Sequence, residues 1–179
     1  MRARFNQKNK QKQGVTMKDF PVWKTIRLGT GIMLGYFSEA LAQSGLRMNP
    51  WYEWMLQDPA FKATTEPTEV DLVVVTEADL GLEKSILLTP ADIYKQAIEV
   101  GLDLCPNEVG PQLRLQYRDQ PQGEYLWIAM EPIIETRNNN QPLIFVVGRD
   151  IWHLLLDVKN VDPSTLRWSP RWVFIKPRK

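Results

Sequence analysis

Residues 101–134, GLDLCPNEVGPQLRLQYRDQPQGEYLWIAMEPII, constrain the fold more than any other stretch, because helix, turn and strand signals all fall inside it. Gly101 stands just past a run of helical periodicity, where a left-handed residue commonly closes a helix. Two runs of alternating polarity follow, separated by the turn-prone residues 119–123, DQPQG. The pattern predicts a β-hairpin. With 119–123 as its loop, Arg118 faces Glu124, Gln116 faces Leu126 and Arg114 faces Ile128. On the other face Tyr117 meets Tyr125, Leu115 meets Trp127 and Leu113 meets Ala129. Side chains alternate between the faces of a strand, so the apolar and aromatic set is expected to point to the core together. Gln112, Arg114, Gln116 and Arg118 are then left outside, opposite Glu124, as a row of amides and guanidinium groups. Guanidinium holds carboxylates and phosphates bidentately, so this row is the expected recognition face.

The rest of the chain supplies the elements around that hairpin. Residues 22–28 alternate and end at Gly29, which predicts a first strand. The glycine spacing that follows lacks the Lys-Ser/Thr of a phosphate loop and reads as a connection. Residues 36–44 are helical in period and end before Gly45; Asn49 and Pro50 open another helix, with Trp51, Trp54 and Met55 on one face read as core. The β-branched run 70–75 reads as a central strand. Thr89, Pro90 and Asp92 open a helix over 90–100, with Ile93, Ala97 and Ile98 near one face. Strands are expected over 143–147, 151–158 and 171–175. The fold class is therefore α+β: an antiparallel sheet, a meander in its C-terminal half, with about three helices mostly from the N-terminal half.

With 179 residues, the chain is expected to hold one globular α+β domain over 17–179. Residues 1–16 have almost nothing to bury and read as a disordered basic extension, with Met17 a plausible true start. The net charge of +1 hides a strong asymmetry. Residues 1–16 and 163–179 carry five bases each and no acid, whereas 17–162 hold all 21 acids against the 12 remaining bases. Basic ends suit a polyanion, but an acidic body repels one. One cysteine forbids an internal disulfide and points to a reducing compartment, and no apolar run is long enough to span a bilayer, so a cytoplasmic protein without membrane attachment is expected.

Chemistry-bearing residues are sparse. One Cys and one His cannot build a four-ligand zinc shell, and no metal or cofactor is expected. Cys105, between Leu104 and Pro106, reads as a small buried hydrophobe, and His153, inside the apolar run 151–156, reads as structural. Carboxylate pairs suited to hydrolysis remain at Glu69 with Asp71 and at Glu131 with Glu135. Arg167, Trp168 and Arg171 interleave bases with aromatics, a mixture that suits single-stranded nucleic acid or a protein contact.

Phe20-Pro21-Val22-Trp23-Lys24-Thr25-Ile26, Glu69-Val70-Asp71-Leu72-Val73-Val74-Val75 and the run from Leu104-Cys105-Pro106 to Leu115-Gln116-Tyr117 together resemble a group of small bacterial proteins without assigned activity. The resemblance covers roughly residues 18–179 and carries no functional residue with it. The expectation from the residues is a non-catalytic module that binds a protein partner through the Arg/Gln row or the Trp-rich C-terminus. Nucleic-acid binding through the basic ends and carboxylate-only hydrolysis are the alternatives.

Overall fold

The computed structural model describes residues 19–30, 39, 43, 47, 48, 50–83, 88–136, 139–162 and 170–178. The extension over 1–16 and all but Glu39 and Gln43 of the helix expected over 36–44 lie outside the described residues.

Eight described strands form one sheet: β1 (Lys24–Leu28), β2 (Arg47–Met48), β3 (Thr68–Val75), β4 (Tyr125–Ile128), β5 (Ile133–Glu135), β6 (Gln141–Arg149), β7 (Leu154–Asn160) and β8 (Arg171–Lys176). Their order is β1-β3-β8-β4-β6-β7-β2, with β5 also beside β6. All neighbours are antiparallel except β4 with β8 and β2 with β7. The α+β class is thus present, and β5-β6-β7 is a true meander. The chain departs from a simple C-terminal meander at β8, which returns to the middle of the sheet between β3 and β4.

Three helices with described ranges accompany the sheet: α1 (Pro50–Gln57), α2 (Pro90–Glu99) and α3 (Val109–Gln116). Strand register places Trp127, Val146 and Trp172 on one face of the sheet and Leu126, Val147 and Val173 on the other. α2 packs on the first face, with the Tyr94 ring edge-on to Trp172 at 5.5 Å and to Phe174 at 6.1 Å. α3 packs on the second, its Gly110 against Phe145, while α1 lies against β7 through its buried Tyr52, Met55 and Leu56. The buried stripe of α1 is therefore one residue round from the one expected, and Trp51 is exposed.

α2 forms where its ends predict. Thr89 accepts from the Asp92 amide at 3.2 Å and Asp92 accepts from the Thr89 amide at 2.9 Å, a reciprocal capping box, with Pro90 at the first helical position. At the other end Gly101 has φ 94°, Leu102 donates to Ala97 O and Gly101 to Ile98 O, which closes the helix with the last carbonyls satisfied.

The predicted hairpin is not formed. Residues 109–116 are helical, and the true partners of β4 are β6 and β8. Alternation over only six residues fits one helical turn and a half as readily as a strand, and one local and one tertiary feature accompany the helix. Pro111 sits in the first turn, where the missing N–H has no helical acceptor in any case. Gly110 lets the helix approach β6, since a Cβ there would lie 2.6 Å from Phe145 Cβ. Once 109–116 coil, Gln112 and Gln116 stack on one line of the helix, Arg114 lies on another, and Arg118 falls in the turn beyond its end.

Candidate functional site

The expected recognition row is dismantled by that helix. Gln112 is buried, and its amide donates to Glu108 Oε1 at 2.9 Å and Thr30 Oγ1 at 3.0 Å. Glu108, also buried, accepts from the backbone amides of Gly29 at 2.9 Å and Thr64 at 2.7 Å. Gln116 is exposed, but its side-chain amide donates to Arg27 O at 2.8 Å and accepts from Arg27 N at 3.0 Å, occupying the outer edge of β1. Together these residues stitch α3 to β1 and the loops around it.

Arg114 is wholly buried. Its Nη1 donates to Gln120 Oε1 at 2.6 Å and Gly148 O at 3.0 Å, and its Nη2 donates to Tyr117 O. Burial pulls the guanidinium down to about 10, with the neighbouring Arg118 charge adding to the effect. It anchors the turn after α3 and offers nothing to a partner. Arg118 is exposed, and its Nε donates to Leu115 O at 2.9 Å.

The structure brings together two other predicted residues. Arg171 Nη1 and Glu124 Oε1 lie 2.7 Å apart, and Glu124 Oε2 accepts from the Tyr117 hydroxyl at 2.9 Å. Burial, then that bond, pushes the Tyr117 hydroxyl up to about 12. Glu124 and Arg171 line a groove of about 810 Å³ on the Trp127 face, with Tyr125, Trp127, Val146 and Lys159. Tyr125 is 41% exposed, its ring lying over Gly148, where a Cβ would fall 2.6 Å from the ring. The Trp127 ring rests edge-on against Trp172 at 5.5 Å. Arg167 and Trp168 lie outside the described residues.

Beside this groove the β6–β7 turn carries what sequence reasoning missed. Residues 151–153 were expected in a strand; they are the turn itself, and β7 begins at Leu154. Asp150 Oδ1 accepts from the amides of Trp152 at 2.7 Å and His153 at 2.6 Å, and the Asp150 amide donates to His153 O at 3.0 Å. A short carboxylate competing for backbone donors in this way favours a turn over a ladder. The turn leaves Trp152 82% and Ile151 65% exposed. Its base is fixed to the groove: Arg149 donates from N to Glu124 O at 3.0 Å and from Nη1 to Gln120 O at 2.8 Å, and Gly123 N donates to Arg149 O at 2.8 Å. The apolar residues on both sides of His153 hid the turn; the Asp two residues before Trp152 was the signal available.

Most of the groups weighed for catalysis are tied up or buried. Asp71 meets Arg178 through two bonds of 2.8 and 2.9 Å and Thr25 Oγ1 at 2.6 Å, and these hold its carboxyl down to about 2. Glu69 pairs with Arg27 at 3.4 Å and Arg178 at 3.5 Å. Glu135 is buried while Glu131 is exposed. The Cys105 thiol is buried, donates to Val173 O at 3.3 Å and is pushed up by desolvation, so thiolate is disfavoured. His153 stands on the turn, 3.7 Å from Asp150. Among the described residues no group of three or more His, Cys, Asp or Glu side chains could hold a metal ion, and no helix is long and apolar enough to cross a membrane.

In comparisons with protein-family models, with curated proteins and with solved structures, nothing matches this chain.

Proposed function

We propose that the chain is a non-catalytic cytoplasmic module that binds a protein partner, and that its contact surface is the Trp152 turn with the adjoining Tyr125–Arg171 groove. One observation carries this reading: Trp152 is presented nearly fully to solvent on a turn held by two amide bonds to the Asp150 carboxylate and one backbone–backbone bond. A large aromatic ring fixed in place loses little freedom on contact, which is why Trp anchors interfaces. Tyr125, Trp127 and Arg171 extend the same kind of surface beside it. The resemblance to small bacterial proteins is part of this reading and adds no residue to it.

Nucleic acid is the second reading, favoured by Arg171 and Lys159 in a groove with Tyr125 and Trp127. The test is what co-purifies with untagged protein, read by mass spectrometry and by absorbance at 260 and 280 nm. Trp152→Ser and Arg171→Ala are expected to lose a bound protein without shifting the melting temperature by more than about 2 °C, as exposed sites allow. Retention of that protein by Trp152→Ser refutes the proposed surface, and recovery of nucleic acid in its place moves the assignment to the second reading.

A further inference from the structure

A second groove, of about 650 Å³, lies between α2 and the entrance to β5, away from the Trp152 turn. Its walls are Tyr94 and Ile98 on one side and Leu104, Pro132, Pro142 and Val161 on the other. Ile98, placed by the sequence near one face with Ile93 and Ala97, is 53% exposed on the groove side of α2 while those two are buried. The prolines stiffen the opposite wall, so the groove is formed in advance of any occupant.

Register extends the apolar floor to a strand edge. Val161 N donates to Pro142 O at 2.8 Å, and Pro142 is paired with Ile134 of β5, which is itself 46% exposed. Proline has no N–H, so Ile134 and Pro142 cannot be a pair that exchanges two hydrogen bonds. They form the other type of antiparallel pair, in which the N–H and C=O of both residues point away from each other. The Pro142 carbonyl accordingly faces Val161 on the far side, and the Ile134 N–H and C=O face outward from the sheet. Among the described residues β5 pairs with β6 alone, so that donor and acceptor stand on an open edge beside an apolar groove.

The rim carries Lys95 and Glu99 on α2 and Glu131 on the facing wall. Glu131 forms no ion pair among the described residues. Two acids against one base give the groove a net negative rim.

We propose that this edge and groove take an extended peptide: its backbone pairs with Ile134, one apolar side chain enters between Ile98 and Val161, and a neighbouring Lys or Arg lies against Glu131. Strand addition supplies the direction of the peptide, the groove supplies the apolar contact, and the rim selects the charge. A free small molecule would use the groove and leave the Ile134 groups unused.

The probe is the peptide acetyl-Thr-Lys-Val-Leu-Lys-Thr-amide, titrated into the full chain and followed by amide and methyl NMR signals. Binding is expected to shift the Ile134 amide and the Ile98 and Val161 methyl groups and to slow Ile134 amide exchange. Ile134→Pro removes the outward N–H together with the exposed Ile134 side chain and is expected to weaken binding at least tenfold at an unchanged melting temperature. If that variant does not fold, a peptide N-methylated on alternate residues tests the companion bond, from a peptide N–H to the Ile134 carbonyl, on the unaltered protein, with the same tenfold loss expected. Glu131→Lys is expected to reverse the preference for this peptide over its Glu-for-Lys counterpart. Absence of binding at millimolar peptide, or affinity indifferent to N-methylation, overturns the proposal. Trp152→Ser is expected to leave peptide affinity untouched, which separates this site from the partner surface.

Discussion

Arg114 provides a direct test of the change from strand to helix, because the two arrangements assign it opposite consequences. On a solvated hairpin face its removal would cost almost no stability. In the structure Arg114→Ala strips three acceptors, Gln120 Oε1, Gly148 O and Tyr117 O, of a charged donor. Hydrogen bonds to a charged group contribute about 1.5–3 kcal/mol each, roughly 4–9 kcal/mol in all. Against this stands the cost of burying the charge: a fall from 12.5 to about 10 corresponds to about 3 kcal/mol. The net loss is about 3 kcal/mol, with the space left by the side chain adding to it. For a chain of this length that is a fall in melting temperature of about 6–12 °C. The assay is thermal and urea unfolding of Arg114→Ala beside Arg118→Ala, which is exposed and should lose less than about 1 kcal/mol. The sign of the pH dependence is also fixed. The folded state binds fewer protons than the unfolded one only above about pH 10, so the Arg114→Ala deficit is flat from about pH 5 to 9. Equal melting temperatures for the two variants would refute the buried assignment.

Gly110→Ala places a methyl group 2.6 Å from Phe145 Cβ, so α3 must move away from β6. Overpacking of that kind costs about 1–3 kcal/mol and outweighs the gain of about 1 kcal/mol in helix propensity; a stabilised variant in urea unfolding contradicts the close approach. Asp71 is held down to about 2 by the Arg178 hydrogen bonds first and Thr25 second. Its folded value lies below the unfolded one, so its contribution is present above about pH 4 and is lost as the pH falls toward 2. In Arg178→Ala the Asp71 carboxyl should titrate nearer the ordinary carboxylate range, and an unchanged NMR midpoint rejects the clamp.

Elements whose signals are local were legible in the sequence. Thr89, Pro90, Asp92 and Gly101 mark α2 because capping and a left-handed closing residue act within a few positions. The β-branched run into Val75 marks β3, which lies between two neighbours as a central strand does. Leu113, Leu115 and Tyr117 misled because both a strand and a helix bury them when the element is enclosed by its surroundings. What decides between the two is tertiary: the seat of Gly110 on Phe145 and the amides that reach Glu108 from Gly29 and Thr64. Of the site, Glu124 and Arg171 were named in advance, but their meeting depends on β8 lying parallel to β4, which no local pattern announces. Trp152 was hidden because the apolar residues on both sides of His153 look like strand until the carboxylate of Asp150 is seen to take the amides of Trp152 and His153.

The placement of β8 has a consequence for biosynthesis. Among the described residues, β1 with β3, and β4 with β6 and β7, are two sets of strands joined in the sheet only through residues 171–176. A nascent chain lacking those residues holds two half-sheets, each with a raw margin where the other belongs. Assembly must therefore wait until the C-terminal strand has left the ribosome, and a ribosome stalled before it would display a ready template for sticking to other chains.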